Sequence, residues 1–138
     1  MSNPVGDLSG MRETLRTVLL IVPAVIHLLP VPGVLGQSRL TALYGLPFDD
    51  PNLLILMQHR AVSFGLLGVF LLIAAFRPEL QVMAIAAGLI SAVSFIVIAL
   101  ADGGYNEAIQ RVLVADVVAI ICLGAAGITL LFPGPSGT

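Results

Sequence analysis

Eight polar side chains stand within or at the edge of strongly apolar runs: His27, Gln58, His59, Arg60, Asn106, Glu107, Arg111 and Asp116. Ionisable groups in such runs are costly, seldom face lipid, and mark candidate sites. His59 has a side chain that can give or take a proton. Asp116 offers a carboxyl for the same acid–base work, which makes His59 and Asp116 the catalytic candidates. All six cations of the chain are arginines, whose planar fork suits a carboxylate or a phosphate. Arg60 or Arg111 is positioned to pair with Asp116 across a helix bundle, which relieves the cost of an isolated charge. Glu107 precedes Arg111 by four residues, a favourable helical pair. The same ion pairs also suit a purely structural lock, so both readings of Arg60, Arg111 and Asp116 stay open. His27 lies between Pro23 and Pro30, and a bond to a carbonyl freed at those breaks is the simplest expectation for its ring. No H-x-x-H or E-x-x-H spacing links His27, His59 and Asp116, so no metal is expected, and no cofactor class is indicated.

Four apolar segments must position these groups. Residues 1–11 are polar and turn-rich and read as a flexible tail. Arg12 and Arg16 precede the first run, Thr17 to Leu29 with a continuation to Leu35; Pro23 should kink it and Pro30 with Pro32 should end its regular part. A secretory signal cut near Val34 and Gly36 is the alternative for this run, weakened by the missing A-x-A-like site and the three spans that follow. The stretch from Gly36 to Asn52 holds a short interfacial helix, Ser38 to Tyr44, with Ser38 as cap and Gly45 as stop. Tyr44 and Phe48 suit the headgroup level. Asp49 or Asp50 caps the second span ahead of Pro51. That span, Leu53 to Phe76, is long enough to cross about 30 Å of hydrocarbon. Arg77-Pro78-Glu79 turns the chain into the third span, Gln81 to Leu100. Asp102-Gly103-Gly104 turns it again into the fourth, from Tyr105 or Asn106 to Phe132. Ala84, Gly88 and Ala92, like Ala61 and Gly65, repeat at four-residue intervals and predict close helix–helix approach. Residues 133–138 read as a second flexible tail, and residues 12–132 as one all-α membrane bundle of four helices.

Composition agrees with a lipid solvent. The chain has 138 residues, 58% of them hydrophobic and 10% charged, well below the roughly 25% of soluble domains. A net charge of −2 argues against a nucleic-acid partner, which would need a basic face. Cys122 is the single cysteine, so no internal disulfide forms. Four spans put both termini on one side, with Arg12, Arg16 and Arg77 there and Arg39 in the opposite loops. That bias places both termini in the cytoplasm. Counted along their helices, Arg60 and Arg111 lie at similar depth in the outer half, with His27 and Asp116 deeper. The inner halves are nearly all apolar. A polar cavity open to the outer side and closed below follows from this asymmetry.

Arg16 before a first span carrying His27, then Leu43-Tyr44-Gly45, then Arg60-Ala-Val-Ser-Phe-Gly-Leu-Leu-Gly68 ending at Arg77-Pro78, resembles small bacterial four-helix membrane proteins of the DoxX-like type. The resemblance implies a four-span bundle in a bacterial inner membrane and transfers no catalytic residue. The expected function is binding, of a small lipid-like amphiphile or of a partner membrane subunit, with homo-oligomers or a larger membrane complex as further options. An enzyme on a lipid- or quinone-like substrate is the alternative. A transporter or channel component is the third, and needs polar groups through the whole thickness.

Overall fold

The computed structural model describes residues 4–132, with side chains from Leu8 onward. Five α-helices and two short 3₁₀ turns make up the described chain. Helix α1 runs Pro4–Leu28, a 3₁₀ turn Val31–Leu35 follows, and α2 is Gln37–Tyr44. Helix α3 is Pro51–Ala74, a 3₁₀ turn spans Pro78–Leu80, α4 is Gln81–Asp102 and α5 is Glu107–Leu131. Four of these segments are long and apolar enough to cross a membrane: Leu8–Leu35, Pro51–Ala74, Pro78–Asp102 and Glu107–Leu131. The chain is an all-α, multi-pass membrane bundle, and large apolar side chains such as Leu66, Ile90 and Ile121 cover its outside. Backbone groups in lipid must be satisfied within the segment, which is why the spans are helical.

Local signals account for most boundaries. Asp50 caps α3, its carboxylate accepting from the Asn52 amide at 2.7 Å, and Pro51 takes the first turn. Asn106 caps α5 by accepting from the Ile109 amide at 2.9 Å. Gly45 closes α2 with φ 65°, a left-handed conformation that glycine adopts without strain, and its amide donates to the Thr41 carbonyl at 2.8 Å.

Two expectations are corrected. Helix α1 begins at Pro4, so residues 4–11 of the expected tail are helical; proline's fixed φ suits a first turn. Residues 1–3 and the second tail, 133–138, lie outside the described residues. Ser38 does not cap α2. Gly36, at φ 122°, takes that position and starts the helix at Gln37. Tyr44 and Phe48 are 4% and 2% exposed. They form a small core with Leu40, because α2 lies down on α3 and α5.

The main core fills the end of the bundle that carries the termini. Leu20, Ala24, Leu71, Ala74, Ala84, Leu123 and Ala126 pack there with no exposed surface. Small residues let the helices close: a Cβ on Gly88 would sit 2.8 Å from Leu123 Cδ1. A Cβ on Gly68 would meet Leu28 Cγ at 2.7 Å and the Ala24 carbonyl oxygen at 3.0 Å.

At this terminal end Arg16 ties three helices together. Its Nε donates to Thr129 Oγ1 at 3.0 Å, one Nη to Gln81 Oε1 at 3.3 Å and the other to the Thr129 carbonyl at 3.4 Å. Thr17 Oγ1 adds a bond to the Ala75 carbonyl at 3.1 Å, and Arg12 one to the Phe132 carbonyl at 3.0 Å. The structural lock therefore lies at the terminal end.

Candidate functional site

Between the main core and the small core under α2 lies a cavity of about 180 Å³. Helix α1 contributes Ile26 and His27, α2 contributes Leu43 and Tyr44, α3 contributes Arg60 and Phe64, and α5 contributes Arg111, Val112 and Asp116. Arg60 lies nine residues after Pro51 and Asp116 nine after Glu107, so both are about 14 Å along their helices. Arg111 is shallower and exposed. The level partners are thus Arg60 and Asp116, whereas Arg60 and Arg111 were expected at one depth.

His27 is 2% exposed. Its Nδ1 lies 2.8 Å from the Pro23 carbonyl. A carbonyl only accepts, so Nδ1 carries the proton, and Nε2 of the neutral ring presents its lone pair. That nitrogen is buried and has no partner among the described residues. The expected bond to a backbone carbonyl is present, although the acceptor is Pro23's own carbonyl. A missing proline N–H frees instead the carbonyl four residues earlier, at Leu19.

Arg60 is held by aromatic faces. Its guanidinium carbon is 4.9 Å from the Phe64 ring centre, 5.0 Å from Phe95 and 5.6 Å from Tyr44. These are cation–π distances. Phe64 in turn meets the His27 ring at 5.8 Å between centres. The three rings surround the guanidinium, and its N–H groups have no protein acceptor among the described residues. The expected ion pairs do not form: among the described residues the one salt bridge is the exposed Arg77–Glu79 contact at 3.4 Å. Neither Arg60 nor Arg111 reaches Asp116, and Glu107 does not reach Arg111. Aromatic faces, which need no desolvated counter-charge, stabilise the Arg60 cation instead. Asp116 is 6% exposed and its carboxylate accepts no protein hydrogen bond among the described residues. Tyr44 registers both charges: burial pushes its phenol up, the Arg60 cation opposes that, and the Asp116 carboxylate adds to it.

No family model, curated protein or solved structure matches the chain. The site is therefore read from its own geometry. Of the eight polar side chains singled out in the sequence, the cavity gathers His27, Arg60, Arg111 and Asp116. The other four lie elsewhere. Gln58 donates to the Val34 carbonyl at 3.0 Å and ties the 3₁₀ turn to α3. Asn106, besides capping α5, donates to the Tyr44 carbonyl at 2.9 Å and holds α2 down. Glu107 joins Gln110 and Arg111 in an outer groove of about 440 Å³. His59 is exposed and lines a crevice of about 400 Å³ with Leu56, Ser63, Leu67 and Ser91. His59 and Asp116 thus border different cavities, so an acid–base pair of those two is not supported by their placement.

Arg111 lines both the outer groove and the central cavity, and Arg60 with Phe64 lines both the central cavity and the crevice. Three spaces therefore adjoin, with a guanidinium at each boundary. Towards the terminal end, Leu20, Leu71 and Leu123 fill the interior with no exposed surface. Phe95, Tyr44 and Phe64 are the site residues that sequence reasoning missed. Phe64 was detectable, because it stands one helical turn from Arg60. Phe95 and Tyr44 reach Arg60 only through packing between helices. Among the described residues no three His, Cys, Asp or Glu side chains converge to hold a metal.

Proposed function

We propose that the protein binds a small amphiphile, with the polar head in the central cavity and the apolar part in the bilayer. The observation that carries this reading is His27 Nε2, a buried nitrogen without a partner among the described residues, in one cavity with an arginine whose N–H groups also lack a protein acceptor among them. An unsatisfied buried polar group costs about 1–3 kcal/mol, so a cavity lined by such groups favours a guest that can bond them. The cavity is mostly apolar with a few convergent polar groups, the usual character of a small-molecule site. Its closed apolar floor argues against a polar path across the bundle and hence against transport through a single chain. The resemblance to DoxX-like proteins supports a bacterial inner membrane as the setting. The arginine bias, three at the terminal end against Arg39 in the opposite loops, supports cytoplasmic termini. Docking of a partner membrane subunit over the same opening is the alternative kind of occupant.

Mass spectrometry of the protein extracted in mild detergent tests the reading. A bound amphiphile that survives delipidation washes better in the wild type than in Arg60→Gln supports it. Equal or absent retention in the two proteins contradicts it.

A further inference from the structure

The donors and acceptors of the cavity define the head that fills it. Arg60, Arg111, Asp116 and His27 line the cavity together. An anionic group on the guest supplies acceptors for the unengaged N–H groups of Arg60, and a second negative charge would add repulsion from the Asp116 carboxylate. Charge alone does not complete the match, because an anion is purely an acceptor. It serves the N–H groups of Arg60 and leaves His27 Nε2 without a donor. That nitrogen needs an O–H or N–H group from the guest. We infer that the head is a monoanion that also carries hydroxyl groups, as a hydroxylated phosphodiester does.

The size agrees. At about 180 Å³ the cavity is somewhat larger than the ~150 Å³ needed for a benzene-sized guest, which suits a head of about six to ten heavy atoms. Arginine forks also match phosphate oxygens well. Placement of the head fixes the rest of the molecule. Arg60 and Phe64 also border the crevice lined by Leu56 and Leu67, so the apolar surface next to the head can take an acyl chain.

The inference rests on the amphiphile reading, and one ligand series on the wild-type protein tests both separately. Native mass spectrometry of the full chain in detergent compares phosphatidylglycerol, phosphatidylmethanol, phosphatidic acid and phosphatidylcholine with matched chains. The first two share a monoanionic phosphodiester and differ in the hydroxyls. Phosphatidylglycerol is expected to bind about tenfold tighter than phosphatidylmethanol, the size of one hydrogen bond to a buried acceptor. Phosphatidylcholine is expected to be weaker than both. His27→Phe should abolish the tenfold difference and keep phosphatidylmethanol binding within about threefold. Asp116→Asn should narrow the gap between phosphatidic acid and phosphatidylglycerol. Equal binding of phosphatidylglycerol and phosphatidylmethanol overturns the hydroxyl requirement, and equal binding of phosphatidylcholine overturns the charge requirement. Either result leaves the amphiphile reading standing. If no lipid of the series binds, that reading falls and takes the inference with it. Free glycerophosphoglycerol separates the sources: competition at comparable concentration assigns the same head chemistry to a soluble anion, and failure to compete assigns it to a lipid.

Discussion

Replacing Arg16 and Arg60, each by methionine, should give opposite results. Methionine keeps an unbranched apolar stem and removes the guanidinium. At Arg16 the change deletes three hydrogen bonds, at 3.0, 3.3 and 3.4 Å, that join α1 to α4 and α5. A well-formed bond to a charged group contributes about 1.5–3 kcal/mol, and the two longer bonds contribute less. Gln81, 4% exposed, then keeps a buried amide oxygen without its donor, while the Thr129 hydroxyl retains the Ala126 carbonyl at 2.7 Å. Together these place the loss at about 2–4 kcal/mol. Adding Gln81→Leu should recover about 1–2 kcal/mol of it, because the orphaned amide disappears. At Arg60 three ring contacts are lost, each worth about 0.5–1 kcal/mol for a partly exposed cation. Removing a half-buried charge that has no ion pair offsets most of that, so the net change should stay within about 1 kcal/mol. Equilibrium unfolding of delipidated protein in mixed detergent measures both. If Arg60→Met costs as much as Arg16→Met, Arg60 is part of the lock and the division between the two ends of the bundle is wrong.

Other perturbations follow from the same geometry. Gly68→Ala should destabilise by about 1–3 kcal/mol, because its Cβ meets the Ala24 backbone, whereas Gly10→Ala, with nothing within 4 Å, should be neutral or slightly stabilising in a thermal melt. Asn106→Ala should cost more than Asp50→Ala, since Asn106 caps α5 and also holds the Tyr44 carbonyl of α2, while the Asp50 bonds are exposed and local; unfolding of the two variants side by side decides it. Burial raises the Tyr44 phenol above its usual value of 10.0. The unfolded chain then loses this proton first, so this contribution to stability is complete below the unfolded value and is lost as pH rises from there through the folded one. Tyr44→Phe should flatten that alkaline decline, and an unchanged alkaline melting profile would contradict the burial argument.

The four spans were legible because length and apolar content alone identify a membrane helix, and because Asp50-Pro51 and Gly45 carry local capping chemistry; the Asn106 cap was not read. The α1 start was missed since Gly6, Ser9 and Gly10 read as turn residues, yet Pro4 suits a first helical turn and the helix favoured downstream extends back over them at a modest cost. The site was half legible. Depth along each helix brought His27, Arg60, Arg111 and Asp116 to one region, and the cavity does gather them. Depth does not give the direction in which a side chain points. Gln58 and His59 are neighbours of Arg60 in sequence, but the helix turns about 100° per residue and carries them away from the central cavity, although His59 and Arg60 still share the crevice. Charge pairing misled for a related reason. Opposite charges were assumed to meet, whereas the rings of Tyr44, Phe64 and Phe95 surround Arg60, and only Phe64 could be foreseen from spacing. Arg16 was read as a topology signal and proved to be the lock.

The central claim is that the cavity around Arg60 and His27 holds the polar head of a bound molecule, while Arg16 holds the helices. Lipid-adduct occupancy in native mass spectra of wild type, Arg60→Gln and Arg16→Met, recorded at matched folded fraction, tests it most directly. The account predicts a one-to-one adduct in wild type and Arg16→Met that is strongly reduced in Arg60→Gln. An adduct equally abundant in Arg60→Gln, or absent from all three, would contradict it.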